Sequence, residues 1–348
     1  MKLFNKSRIP RPQSCGLMLS YGCNAECKHC MYACSPRWGG TWISEQRLDQ
    51  LLRKLSPYIE ASPYGPDSIS LNHGLHFSGG EPFLKYDLLL RGVELAASYS
   101  IPSVFAETNC FWCRDDEVTE KRLLELSAAG MKGLMISVNP FYLEYVPFEY
   151  TRRAIRIADE IFGPNLAVYQ LEYYRRFAEL GISGKMSYAE YLQIEPEGDF
   201  MRNVEFFLTG RPVYALRKTL EKYCPLYEPR QLVGERCVPE FIRGWHNHFD
   251  NYGNYVPGYC GGLSYGGWDE LDSLVGSSPD PQRKPVLSMI MNSDFESLLG
   301  FAEERGWRAL PGGYFSKCHL CVDIRKHLSS LGGFPELSPA EYYEHLDR

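Results

Sequence analysis

The sequence predicts an α/β protein built on a parallel sheet. Three observations predict it. Short apolar runs at 17–22, 74–78, 103–107, 133–138 and 166–171 alternate with stretches of helical periodicity. Strand and helix therefore follow one another as βα units, whose crossovers make neighbouring strands parallel. The cysteines, glycines and polar residues with the most chemistry fall at the ends of these runs, where parallel sheets gather their functional loops.

Composition narrows the function. The chain has 348 residues, enough for one large α/β barrel or two domains. It is 44% apolar and 23% charged, the balance of a globular protein. The net charge is −6 and no lysine/arginine block stands out, so a nucleic-acid partner finds little electrostatic support. No run approaches the ~20 apolar residues that span a bilayer. Residues 1–8 are basic without an apolar core behind them, so a cytoplasmic protein with no membrane partner is expected. Twelve cysteines without a secretion signal point to metal binding or catalysis before disulfides.

The elements follow in order. Residues 1–14 form a polar lead-in with two prolines. The run 17–22 enters a loop carrying Cys23, Cys27 and Cys30, spaced C-x3-C-x2-C and closed by the stretch 36–40. One short loop can aim all three thiols at a single centre, and soft thiolates suit zinc, copper(I) or iron–sulfur. Ser44 opens a helix to Leu55, with Leu48, Leu51, Leu52 and Leu55 at helical spacing. The turn 62–66 leads to the strand 74–78, which runs into Gly79-Gly80-Glu81-Pro82; such glycines let the backbone approach a ligand closely. A helix over 86–98 precedes the strand 103–107, which ends in Thr108-Asn109-Cys110-Phe111-Trp112. Cys110 and Cys113 make a C-x2-C pair, either metal ligands or two packed thiols. A helix over 118–129, the strand 133–138 with Ser137, a helix over 150–162 and the strand 166–171 complete the series. Beyond it, Tyr173, Tyr174, Phe177 and Leu180 mark the buried side of one helix, and Tyr188, Tyr191 and Leu192 a second.

The cysteine loop resembles that of the radical S-adenosylmethionine (SAM) superfamily, where the motif is C-x3-C-x-Φ-C after the first barrel strand. Here His29 fills the Φ position. Gly79, Gly80, Glu81 and Pro82 match the superfamily's Gly-Gly-Glu-Pro motif, which contacts the amino end of SAM. Asn109 lies in a stretch similar to the family's Thr-Asn-Gly-aromatic, with Cys110 where glycine is usual. Ser137 matches a position whose hydroxyl contacts the ribose or carboxylate of SAM. Residues 139–141 resemble a family Asp-Pro-Phe-His stretch, with Asn139 in place of the acid and Tyr142 in place of the histidine. The resemblance implies a partial (β/α)6 TIM-type barrel over residues 1–222. It implies a [4Fe–4S] cluster on Cys23, Cys27 and Cys30, with SAM chelating the open iron. One electron, from a flavodoxin- or ferredoxin-type reductant, then cleaves SAM to methionine and a 5′-deoxyadenosyl radical.

A second cysteine-bearing region begins at Cys237. Strands over 241–249 and 255–259 are expected around a turn at 250–254, ending at Cys260; Cys318-His319-Leu320-Cys321 follows. Four cysteines arranged as one, one and a close pair can close a complete cluster site. The region resembles a shortened twitch/SPASM domain, a small C-terminal β-hairpin/helix module over 223–330, with a helical tail over 331–348. It departs from the family in having six residues between Gly253 and Cys260 where four are usual, and no further cysteines after Cys321. The resemblance implies a second [4Fe–4S] cluster on Cys237, Cys260, Cys318 and Cys321, handling electron transfer. Structural zinc on the four cysteines, or with His246 or His248, is the alternative; strand alternation puts those histidines on one face.

The implied substrate is a peptide or protein side chain. The alternative is a small molecule undergoing alcohol dehydrogenation, epimerisation or rearrangement. An epimerase needs a hydrogen donor, for which Cys224, Cys110, Cys113 and Cys34 are candidates. A non-catalytic zinc or iron–sulfur protein is the reading from another class, and it predicts no SAM cleavage.

Overall fold

The structure is a computed structural model that describes residues 7–39 and 41–347. The first six residues of the lead-in, and Gly40 at the close of the cysteine loop, lie outside the described residues. The chain forms two compact units. One comprises Pro12–Cys27 and Cys34–Glu205; the other comprises, among the described residues, 7–11, Lys28–Ala33 and 206–347.

The first unit is α/β. Strands β1 (Ser14–Met18), β2 (Gly74–Ser78), β3 (Phe105–Thr108), β4 (Gly133–Ser137) and β5 (Leu166–Tyr169) pair in parallel, each with the next. Between them run α1 (Glu45–Leu55), α2 (Tyr86–Ser98), α3 (Asp116–Ala129), the short α4 (Pro140–Leu143) and α5 (Phe148–Phe162). The Ser44 side chain accepts from Arg47 N and starts α1, and the four leucines predicted to face inward are all buried. Gly92 lets α2 lie close on the sheet, because a Cβ there would sit 2.8 Å from Phe77 Cε1. Phe77 therefore faces α2. Pleating sends its neighbours His76 and Ser78 to the other face, which the register shares with Phe105, Glu107, Met135 and Ser137.

Two strand edges differ from expectation for backbone reasons. β1 ends at Met18 although the apolar run continues, because the next carbonyls serve loops: Leu19 O takes Ile43 N–H and Ser20 O takes Gly80 N–H. β3 starts at Phe105 because Ser103 has φ +55, which extended chain does not allow. After β5 come α6 (Leu171–Glu179), α7 (Tyr188–Ile194) and α8 (Glu197–Asn203). The rings of Tyr173, Phe177, Tyr191 and Phe200 pack together there as core.

The second unit holds α9 (Pro212–Ala215), α10 (Arg217–Tyr223), α11 (Pro229–Leu232) and α12 (Val238–Ile242). An antiparallel sheet follows, of β6 (Asn247–Asp250), β7 (Asn254–Val256) and β8 (Gly266–Gly267). Then come α13 (Leu271–Leu274), α14 (Pro285–Met291), α15 (Phe295–Glu303), α16 (Lys317–Leu331) and α17 (Glu341–Glu344). The predicted hairpin exists but is shorter. α12 occupies the start of the expected first strand, and His246 at φ +54 delays it to Asn247. Pro257, which has no N–H to donate, follows β7. Asp250 closes the turn by accepting from Tyr252 N and Asn254 N at 3.0 and 2.8 Å.

The segment Lys28–Ala33 is fastened inside this unit. Arg211, 1% exposed, donates from Nη2 to Ala33 O at 2.6 Å and from Nε to His345 O at 3.4 Å, and its backbone N–H reaches Cys30 O. Tyr342 Oη donates to Met31 O at 3.1 Å and Tyr32 Oη to Gly258 O at 2.7 Å. A Cβ on Gly210 would lie 2.3 Å from Met31 O. No described helix is long and apolar enough to cross a membrane.

Candidate functional site

In the first unit, the loop after β2 docks on the start of the cysteine loop. Gly80 N–H donates to Ser20 O at 2.8 Å, Glu81 N–H to Gly22 O at 3.1 Å and Cys23 N–H to Ser35 O at 3.2 Å. The glycine pair is what this approach requires. A Cβ on Gly79 would lie 2.4 Å from Ser20 O, and one on Gly80 would lie 1.9 Å from Gly22 O. Gly79 also has φ +121, which side chains disfavour.

N–H groups gather at the Cys23 sulfur. Ala25 N–H donates to it at 3.4 Å and Asn109 Nδ2 at 3.8 Å, while Asn109 Nδ2 also bonds Asn24 Oδ1 at 2.9 Å. Such donors favour a thiolate, and hydrogen bonds to sulfur are among the levers on iron–sulfur centres. Cys23 and Cys27 are buried, and the Cys34 thiol donates to Gly79 O at 3.5 Å. The structure thus brings Cys23, Cys34, Gly79, Gly80, Glu81 and Asn109 together. Cys30 and His29 belong to the fastened segment of the other unit. There, burial and the Arg211 charge push His29 down to about 3, so its ring is neutral at physiological pH.

Glu81 is buried and ties two strand ends together. Its carboxylate accepts from Phe83 N at 3.1 Å, Thr108 Oγ1 at 3.0 Å and Asn109 N at 2.8 Å. Burial pushes this carboxyl up to about 7, against the pull of those three donors. Pro82 opens a turn of 3-10 helix in which Pro82 and Phe83 are buried. Cys110 has φ +66, a left-handed position, which accounts for glycine being usual there. It is fully buried beside Cys113, and burial and that neighbour raise its thiol. Ser137 ends β4, partly exposed.

The sequence reading missed Glu107. Ser78 Oγ donates to its carboxylate at 2.9 Å, and His76 Nε2 lies 3.3 Å from it. Alternation already put His76 and Ser78 on one face, a legible sign of a polar patch on a buried strand. Burial pushes Glu107, like Glu81, up to about 7. A carboxyl raised in the folded state takes up a proton on folding between the two pKa values. Its stabilisation is therefore complete below the unfolded value of about 4.5 and is lost as pH rises through about 7. Denaturant unfolding should show stability falling from pH 5 to 8, with the fall reduced by at most ~3 kcal/mol in Glu107→Gln. Equal pH dependence in both proteins would contradict the assignment.

In the second unit four thiols face one another. Cys237 leads into α12, Cys260 follows β7, and Cys318 and Cys321 lie in the first turns of α16, which Ser316 caps through His319 N. Burial, then the charges of Cys321 and Cys318, push Cys237 up to about 12. Cys260 is raised by burial and by the other three thiols. Cys318 is exposed, and desolvation and the neighbouring Cys321 raise its thiol. Four cysteines so arranged can hold either a [4Fe–4S] cluster or structural zinc.

The remaining candidates lie apart from these thiols. Cys224 ends α10, half-buried, with burial raising its thiol. The rings of His246 and His248 are neighbours, with centroids 5.2 Å apart. His248 Nδ1 is 3.0 Å from Tyr32 Oη, and burial and Arg243 push His246 down to about 4.

No family model matches the sequence, and no curated protein matches it. Among solved structures, the chain is similar to BtrN in complex with AdoMet and 2-DOIA, at 14% identity over 81% of this chain and 88% of that one, with TM-score 0.45. It is similar to anSMEcpe with bound AdoMet, at 13% identity over 96% of each chain, with TM-score 0.43. Streptococcus suis SuiB bound to precursor peptide SuiA gives 13% identity over 94% of this chain and 75% of that one, with TM-score 0.29. What the site can do is therefore taken from this chain's own residues.

Proposed function

We propose that this chain is a radical SAM enzyme with one cluster on Cys23, Cys27 and Cys30 and a second on Cys237, Cys260, Cys318 and Cys321. The observation that carries the reading is the docking of Gly80 and Glu81 on Ser20 and Gly22, the residues that lead into Cys23. Two motifs far apart in sequence, each matching a separate part of SAM and cluster binding, are thereby held side by side in one unit. The residues fit the group: Cys23 has N–H donors at its sulfur, and the glycines leave backbone exposed beside it.

When bound, the cluster and SAM supply a 5′-deoxyadenosyl radical that removes a hydrogen atom from substrate. The protein's part is to hold and to shield. Asn109 and Ala25 N–H steady the negative charge on Cys23. Glu81 locks the β2 and β3 ends together beneath the site. Ser137 and the backbone of Gly79 and Gly80 would contact SAM. Glu107, held by Ser78, presents an acceptor on the sheet face opposite α2. The second set of thiols would pass an electron, with a flavodoxin- or ferredoxin-type protein as the external donor. The substrate class we assign is a peptide or protein side chain, as the twitch/SPASM resemblance implies. A small molecule is the competing class.

The test is anaerobic reconstitution with iron and sulfide, then iron counting and a SAM-cleavage assay with dithionite. The wild type should bind about eight irons per chain, four for each [4Fe–4S] cluster, and release 5′-deoxyadenosine. A Cys23/Cys27/Cys30 triple alanine variant should keep about four irons and release none. No deoxyadenosine from the wild type under any reducing condition returns the protein to the non-catalytic metal-binding class. A triple variant without iron empties the second site.

A further inference from the structure

Arg325 is 2% exposed on α16, one turn beyond Cys321, so the two side chains share a helix face. Its Nη1 donates to Gly261 O at 2.8 Å, in the residue after Cys260, and contacts Tyr343 Oη at 3.0 Å. Tyr343 Oη in turn donates to Gly262 O at 2.6 Å, which fixes the fork against the loop that carries Cys260. Arg325 Nε is buried with no hydrogen-bond partner. No carboxylate pairs with this guanidinium among the described residues; the opposing groups with the strongest pull are the Tyr343, Cys321, Tyr342 and Cys260 side chains. A guanidinium does not deprotonate in proteins, and a buried unpaired charge is costly.

Lys317 repeats the pattern at the other end of the site. It is buried, donates to Arg236 O at 2.8 Å and lies close enough to Cys237 for their charges to interact. Two cations on one helix thus flank four cysteines. An oxidised four-cysteine [4Fe–4S] centre carries two negative charges, and the two cations balance them.

We propose that Arg325 is a tuning residue for the second cluster: its fixed charge, held on the helix face of Cys321 and against the residue after Cys260, favours the reduced state and raises the cluster's midpoint potential. The inference rests on the reading that these four cysteines hold a cluster. One added electron makes the centre more negative, and a buried cation in a low-dielectric site stabilises the more negative state. Potentials of such clusters respond to charge, hydrogen bonding and exposure.

The test uses the full chain with Cys23, Cys27 and Cys30 replaced by alanine, so that only the second site loads. After anaerobic reconstitution, iron and zinc are counted and the midpoint is measured by potentiometric titration, with the reduced cluster read by electron paramagnetic resonance. Arg325→Gln should shift the reduction equilibrium at least tenfold toward the oxidised form, ~59 mV for one electron. Arg325→Lys, which keeps the charge, should stay within threefold of the parent. A loaded cluster with the same midpoint in Arg325→Gln overturns the inference and leaves the cluster reading intact. A parent that loads zinc or nothing overturns the reading beneath it, and the inference with it. If Arg325→Gln takes up no iron, Arg325→Lys decides. A midpoint near the parent's supports the charge, and a tenfold shift or an empty site assigns Arg325 to folding alone.

Discussion

Gly80→Ala is expected to empty the N-terminal cluster site while the thiols of the second unit still load. The new Cβ would meet Gly22 O at 1.9 Å, Gly22 C at 2.4 Å and Cys23 N at 2.9 Å, all backbone atoms. None can swing aside as a side chain would. Gly22 O is held by Glu81 N–H, and Cys23 N–H by Ser35 O. The loop must move as a body, carrying Cys23 away from Asn109. Overpacking costs about 1–3 kcal/mol, occasionally more, and a backbone collision belongs at the top of that range. Displacing a reacting centre by ~1 Å can cost 10²-fold in rate. Iron should fall from about eight to about four per chain, and deoxyadenosine release about a hundredfold. Gly300→Ala is the control. It sits in α15 with no atom within 4 Å of its would-be Cβ, so it should be neutral or stabilise by up to ~1 kcal/mol. Full iron and full cleavage in Gly80→Ala would mean that the docking of the two loops is dispensable.

Arg211→Ala is the second change with a large expected effect. The side chain is 1% exposed and gathers Ala33 O and His345 O, two acceptors from distant parts of the sequence. Alanine leaves both carbonyls without this donor and opens a cavity. A hydrogen bond from a charged group contributes about 1.5–3 kcal/mol, so with two of them lost denaturant unfolding should register a loss of about 3–5 kcal/mol. The segment Lys28–Ala33 loses its clamp, so uptake of the N-terminal iron should fall as well. Arg211→Lys should recover little, since a single ammonium cannot reproduce the fork. A change under ~1 kcal/mol, with iron uptake intact, would show that Tyr342 and Gly210 hold the segment without it.

Much of the fold was legible because its cues are local. Leucine spacing and the Ser44 cap gave α1, and the strand at Gly74–Ser78 was bounded by its glycine and its polar end. The misread edges are places where an apolar run outlasts its ladder partners, as at Leu19, or where one residue turns to positive φ, as at Ser103 and His246. The motif residues stood out through the close spacing of the cysteines and the resemblance of C-x3-C-x2-C and Gly-Gly-Glu-Pro to known motifs. Arg211, Lys317, Arg325 and Glu107 were not. A lone charge on a helix or strand reads as solvated until the fold removes its water. For Arg325 the four-residue step from Cys321 was available, but it says nothing of burial. The interleaving of Lys28–Ala33 with residues from Phe206 on leaves no mark in sequence.

That interleaving also sets an order of events during synthesis. Cys30 is made well before Arg211, Tyr342 and His345, which fasten its segment. At ~5–20 residues per second, roughly 15–60 s separate the making of Ala33 from that of Tyr342. Through that interval the third thiol of the motif is present and unseated, open to oxidants and to stray metal ions. Productive iron delivery to it follows the making of His345, and good yield of active protein depends on reducing, iron-replete conditions maintained until then.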